Sequence, residues 1–201
     1  MSDSLIISLD VETGGLDPWC NSLLSLGAVA LYGGKVLQDE NFYSLVKAPV
    51  YHVTAGAMKV NGLSLTELDE NGVSISEVGK NFRAFVERMQ AAVATEGAKP
   101  PRPTILGHNV KFDLGFLEQN LGKEFFKPFD YHTLDTSVIA AFLRDIGLDN
   151  PAGLSLEKLC SYYDIPHGKH NALGDALSTA KLYLEMVKKV EGLLGREYAK
   201  K

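Results

Sequence analysis

The apolar run Leu5, Ile6, Ile7 and Leu9 constrains this chain most. It reads as a buried strand, carries two carboxylates at its far end, Asp10 and Glu12, and is stopped by Gly14-Gly15. Side chains alternate along a strand, so Asp10 and Glu12 face the same side. Two acids held side by side repel one another and lose solvation, a cost that a cation or a shared proton offsets. A strand end running into a loop, with both acids solvated, satisfies the same residues. The decision rests on what the rest of the chain supplies.

With 201 residues and 45% hydrophobic content, the chain can bury one good core, and residues 1–201 read as a single domain with its core over about 5–190. The formal charge of −5 gives no basic footprint. That argues against sequence-independent duplex binding by charge alone but leaves room for a local cationic groove. Cys20 and Cys160 are isolated, without zinc or redox spacing, and fit a reducing compartment. No charged leader precedes an apolar run, and no stretch reaches the ~18 apolar residues of a membrane span. The expectation is a cytoplasmic protein with no membrane partner.

Leu23 to Tyr32 reads as a second strand, Gly33-Gly34 as a hairpin turn and Lys35 to Val46 as a third strand, together an antiparallel meander. Pro49 to Thr66 reads as irregular, apart from a helical turn near Ala55 to Val60. Val78, Phe82, Phe85, Val86 and Met89 have the spacing of an amphipathic helix over Ser76 to Met89, and the proline-bearing Ala91 to Pro103 reads as a surface loop. Thr104 to Gly107 predicts a strand, Phe112 to Leu121 a helix and Tyr131 to Leu134 a short strand. Asp135 then offers an N-cap to a helix through Val138, Ile139, Phe142 and Leu143. Two more helices follow, Ser155 to Tyr163 and about Asn171 to Val190, the last with an apolar stripe from Ala172 to Val187. Strands first, then strands alternating with helices, predict an α/β fold: a mixed sheet of three antiparallel strands and then parallel strands, flanked by helices.

Two further segments carry acids. Gly107-His108-Asn109-Val110-Lys111-Phe112-Asp113 sets an acid just past a strand at the opening of a helix, where open α/β sheets place ligands. A helix-terminal Asp stabilised by the dipole is the plain alternative. His170-Asn171-Ala172-Leu173-Gly174-Asp175 sets a histidine before a helix and an acid at the border of its apolar stripe. Surface positions for both are the plain alternative there. His167 and His170 lack the companions of a zinc site, Asp135 reads as a cap, His108 as a packing or supporting residue, and His52 and His132 as surface groups. Trp19 reads equally as a groove wall or as core cover.

In this order, Asp-x-Glu, Asn-x-x-Phe-Asp and His-x(4)-Asp, the chain resembles the DEDDh (DnaQ-like) family of 3′-to-5′ exonucleases, which includes the proofreading subunit of bacterial DNA polymerase III, ribonuclease T and oligoribonuclease. The resemblance covers roughly Leu5 to Lys189 and implies a ribonuclease H-like fold. It implies release of nucleoside 5′-monophosphates from the 3′ end of single-stranded DNA or RNA by a two-metal mechanism with Mg²⁺ or Mn²⁺, hard cations that suit four carboxylates. Asp10, Glu12 and Asp175 are then ligands of one ion, with Asp10 bridging to a second that Asp113 holds, and His170 is the general base. Thr13, Gly14 and Leu16 correspond to positions that hold the terminal nucleotide, while Asn109 and Phe112 shape the site. Gly14 and the stretch Val60-Asn61-Gly62-Leu63 depart from the family pattern, the latter where many relatives have His-Gly-Ile. An RNA-trimming enzyme and a polymerase-associated proofreading subunit are the alternatives, and a polymerase or a second copy of the chain are the protein partners left open.

Overall fold

The computed structural model describes residues 4–167 and 171–198. Six strands, β1 (Ile6–Thr13), β2 (Leu23–Tyr32), β3 (Lys35–Lys47), β4 (Val73–Ser74), β5 (Thr104–Gly107) and β6 (Thr133–Asp135), form one mixed sheet in the order β4-β3-β2-β1-β5-β6. The first three run antiparallel, and the Gly33-Gly34 turn, where both glycines take positive φ, joins β2 to β3. The β3/β4, β1/β5 and β5/β6 pairs are parallel. This is the expected mixed α/β architecture.

Among the described residues seven α-helices accompany the sheet: α1 (Ala55–Asn61), α2 (Leu65–Asn71), α3 (Ile75–Val93), α4 (Lys111–Leu121), α5 (Thr136–Asp145), α6 (Leu156–Tyr162) and α7 (Ala172–Tyr198), with a short 3-10 helix at Lys123–Phe126. The two-residue period of β1 assigns them to faces. Leu5, Ile7, Leu9 and Val11 bury against Phe82, Phe85 and Val86 of α3 and Phe116 and Leu117 of α4. On the other face Val29, Leu31 and Leu106 meet Ala180 and Leu184 of α7. Asp10 and Glu12 belong to the second face by the same alternation.

Three local expectations change. The segment expected to be irregular continues into α2 and β4. Ser64 caps α2 by accepting from Glu67 N at 3.0 Å, but Leu68 is its one buried residue, too little for a periodic signal. In α5, Val138 and Phe142 are exposed while Thr136, Ala140 and Leu143 are buried, because small side chains set the packed face there. Helix α7 is buried on two sides, with Ala176, Ala180 and Leu184 toward the sheet and Leu182 and Met186 toward Leu159 and Cys160 of α6. A single stripe describes only the first. Buried Asp149 accepts from Tyr162, Tyr163 and Lys189, joining the end of α6 to α7. Among the described residues no helix is long and apolar enough to cross a membrane.

Candidate active site

Strand β1 outruns its parallel neighbour. Its last pairing with β5 is Ser8 with Leu106, so Asp10 and Glu12 stand beyond the end of β5, beside a notch that the chain fills with the start of α4. There Val11 N donates to Asp113 Oδ1 at 3.0 Å, which ties α4 to β1 and anchors Asp113, a buried acid. Helix α4 lacks a side-chain cap of its own. Asp135 supplies one from the end of β6, accepting from Asn109 N and Val110 N at 3.0 Å each and from Ser137 N at 2.9 Å. It therefore caps α5, as expected, and also holds Asn109 in its left-handed conformation at φ 59°.

Asp175 arrives from the opposite side. Gly27, paired with Asp10 across β1 and β2, lets the start of α7 lie directly on the sheet: a Cβ there would come within 2.2 Å of Leu173 N. Ser8 Oγ adds a hydrogen bond to Ala176 O at 2.8 Å. The approach turns Asp175 inward, where it is buried, and brings one oxygen each of Asp10, Glu12 and Asp175 within 4.8 Å of one another. His167 Nδ1 lies 3.6 Å from Asp175 Oδ1 and 3.4 Å from Ser178 Oγ, so this histidine belongs to the surroundings of the acids. His170 and Lys169 lie outside the described residues.

Electrostatics expose the cost. Burial, then the charges of Asp113, Asp175 and Glu12, push the Asp10 carboxyl well above the usual carboxylate range. Burial likewise pushes Asp113 up to about 8, against the pull of the N–H groups of Val11 and of Asp113 itself. His108, half-buried with Nδ1 2.9 Å from Thr136 Oγ1, is lowered by burial against the opposing charge of Asp135. Crowded oxygens with excess negative charge fit a divalent cation, a charge that would relieve the repulsion. Asp10, Glu12 and Asp175 can hold it, with Asp113 beside them.

The turn after β1 is built tightly. Thr13 is buried and its Oγ1 donates to Gly15 O at 2.7 Å. Gly14 N donates to Ser22 O and Gly14 O accepts from Thr54 N, the N-cap of α1. A Cβ at Gly14 would sit 2.3 Å from His52 O, the physical reason for glycine at this departure from the family pattern. At the other departure, buried Asn61 donates through Nδ2 to Thr13 O at 3.2 Å and accepts from Leu63 N. Leu16 is 86% exposed beyond this turn, and half-buried Phe112 packs on Phe116 with ring centroids 5.1 Å apart. Gly27, Asn61 and His167 were not singled out by the sequence patterns as residues of the site. Only the unusual Val60-Asn61-Gly62-Leu63 stretch pointed at one of them.

A family model described as Exonuclease (RNase T) matches residues 101–183, the part that carries Asp113 and Asp175. The chain is 30% identical over 194 residues to a PolC-type DNA polymerase III of Thermotoga maritima, covering 94% of this chain and 12% of the polymerase. It thus spans about an eighth of the length of that relative. With ribonuclease T of Actinobacillus pleuropneumoniae it shares 29% identity, over 95% of this chain and 87% of the relative. A zinc-bound E. coli exonuclease I in complex with single-stranded DNA superposes with a TM-score of 0.75 at 20% identity, over 98% of this chain and 43% of that one. That likeness is one of fold, and the fold is ribonuclease H-like. Together these similarities support the DEDDh, DnaQ-like exonuclease family for this chain, whose motif acids Asp10, Glu12, Asp113 and Asp175 gather at the far end of β1.

Proposed function

We propose that the protein is a Mg²⁺- or Mn²⁺-dependent 3′-to-5′ exonuclease that removes nucleoside 5′-monophosphates from the end of an unpaired strand. The observation that carries this reading is the convergence of Asp10, Glu12 and Asp175 within 4.8 Å, with Asp113 hydrogen-bonded to the same strand. Two divalent cations held there would supply Lewis-acid stabilisation of the phosphodiester and a nucleophilic water at neutral pH. The chain's own residues do the rest. Asp10, Glu12 and Asp175 would hold one cation, and Asp10 with Asp113 the other. His170 accepts the proton of the attacking water, a role that an imidazole titrating near neutrality suits. The tight Thr13–Gly15 turn and Leu16 receive the terminal nucleotide, and Asn109 and Phe112 shape the same space. Crowding at that turn supports cleavage from a free 3′-hydroxyl.

The test uses 5′-labelled DNA and RNA single strands, with blunt duplexes beside them, incubated with Mg²⁺ or Mn²⁺ and ending in a 3′-hydroxyl or a 3′-phosphate. A ladder that shortens from the 3′ end only with the hydroxyl, fastest on single strands, supports the reading, and Asp10→Ala abolishes it. Internal cuts, or equal cleavage of the 3′-phosphorylated strand, overturn the polarity. The DNA and RNA arms rank the sugar preference.

A further inference from the structure

Trp19, the chain's single tryptophan, is 79% exposed in the loop between β1 and β2. The loop is held rigid. Trp19 N donates to Asp17 Oδ1 at 2.9 Å, Cys20 N and Asn21 N donate to Asp17 O, and Asn21 Oδ1 accepts from Asp17 N at 3.1 Å. Gly15, where a Cβ would meet Asn21 Oδ1 at 2.4 Å, locks this turn against the end of β1. An indole so exposed covers little core, and its apolar faces are open to a ligand.

Beside it lies a groove of about 580 Å³ between this loop, the end of β3 and the last turn of α4. Acids outnumber bases in the chain, 25 to 20, yet no Asp or Glu is among the residues lining the groove. Lys47, whose Nζ donates to Asp69 O, and His52 line it, and Gln119 brings an amide able to meet a base edge. The groove and the acidic site share helix α4 and the loop after β1. Pro18, on its wall, is the nearest neighbour of Gly115, two residues after Asp113 on the same helix. Gln119 follows Asp113 by six residues, about 9 Å along the helix axis. At a stacked spacing of about 3.4 Å per nucleotide, that distance corresponds to about the third nucleotide from the cut.

We propose that Trp19 and this groove form a stacking site for an unpaired nucleobase a few nucleotides upstream of the scissile phosphate. The proposal rests on the exonuclease reading and adds to it a second grip on the strand, outside the terminal-nucleotide pocket. Single-strand binding combines aromatic platforms with a groove that tracks the phosphates, and stacking tolerates any base because every base has a π-face. DNA and RNA offer the same stacking surface.

A single tryptophan makes the test direct. Tryptophan emission of the full chain is followed in EDTA, and again with Ca²⁺, while a ten-nucleotide DNA strand, a ten-nucleotide RNA strand, a dinucleotide or a free nucleoside 5′-monophosphate is added. Anisotropy of 5′-labelled strands reports binding independently. The expected result is saturable quenching by the ten-mers and little by the dinucleotide or monophosphate, which end before the groove. In Trp19→Ala the Kd for a ten-mer rises roughly tenfold, and Trp19→Phe recovers part of it. KM for cleavage of the ten-mer rises in parallel. Binding of a ten-mer with unchanged emission, or a Trp19→Ala protein with wild-type Kd and KM, overturns the stacking site and leaves the exonuclease reading standing. Absence of both binding and cleavage for every strand overturns the two together.

Discussion

Replacing Gly27 with alanine adds one methyl group at the point where α7 lies on the sheet. The new Cβ would sit 2.2 Å from Leu173 N and 2.3 Å from Ala172 C, where real Cβ contacts stay beyond 3.0 Å. Both are backbone atoms, so no flexible side chain can yield, and the start of α7 must retreat by at least about 0.8 Å. Asp175 lies two residues beyond Leu173, and its oxygen is one of the three that converge. A displacement near 1 Å costs on the order of 10²-fold in rate when it moves a reacting geometry. Overpacking of this kind costs about 1–3 kcal/mol of stability. Gly27→Ala is therefore expected to fold with a melting temperature lower by several degrees, to bind Mn²⁺ at least tenfold more weakly by isothermal titration, and to turn over about 100-fold more slowly. Gly192→Ala, on the same helix with open space around its Cβ, is the control and gains up to about 1 kcal/mol. Wild-type Mn²⁺ affinity and turnover in Gly27→Ala would refute the argument that this glycine sets the position of Asp175.

Three further outcomes follow from the site. Asp113 titrates at about 8 in the metal-free fold against an ordinary 3.8, so between those values the folded state holds more protons than the unfolded one, and stability falls as pH rises from about 4 to 8. Asp10 shifts in the same direction. A melting temperature in EDTA that is flat or rising across that window contradicts this, and so does Mn²⁺ binding below pH 8 without proton release in buffers of different ionisation heat. His170→Ala is expected to lower single-turnover rates by about 10²–10⁴-fold while leaving Mn²⁺ affinity near wild type; weak metal binding in this variant would make His170 a ligand instead of a base. Asp135→Ala strips the acceptor from Asn109 N, Val110 N and Ser137 N and is expected to cost on the order of 2 kcal/mol by chemical denaturation, with weaker Mn²⁺ binding. Unchanged stability would show that α4 and α5 do not depend on this shared cap.

What the sequence by itself determined is what local rules encode. Alternation along Leu5 to Glu12 specifies a strand with two faces and assigns both acids to one of them. Capping chemistry marks Asp135, and the types and order of Asp10, Glu12, Asp113, His170 and Asp175 name a family whose chemistry needs those groups. Periodicity also locates α3 and the sheet side of α7, because each buries a regular stripe. It misses α2, which has one buried residue, and inverts part of α5, where small residues face inward and Val138 and Phe142 face solvent. Tertiary structure alone decided the distances. Whether Asp175 meets Asp10 depends on the missing side chain at Gly27, a residue far from both in the chain whose conformation is ordinary. Whether Asp113 faces β1 depends on where β5 stops and on a cap lent by β6. The roles of Asn61 and His167 arise the same way, from contacts across elements. A residue's own neighbours in sequence carry no record of such contacts, since packing between elements is set by the shapes of surfaces that meet only once the sheet has formed.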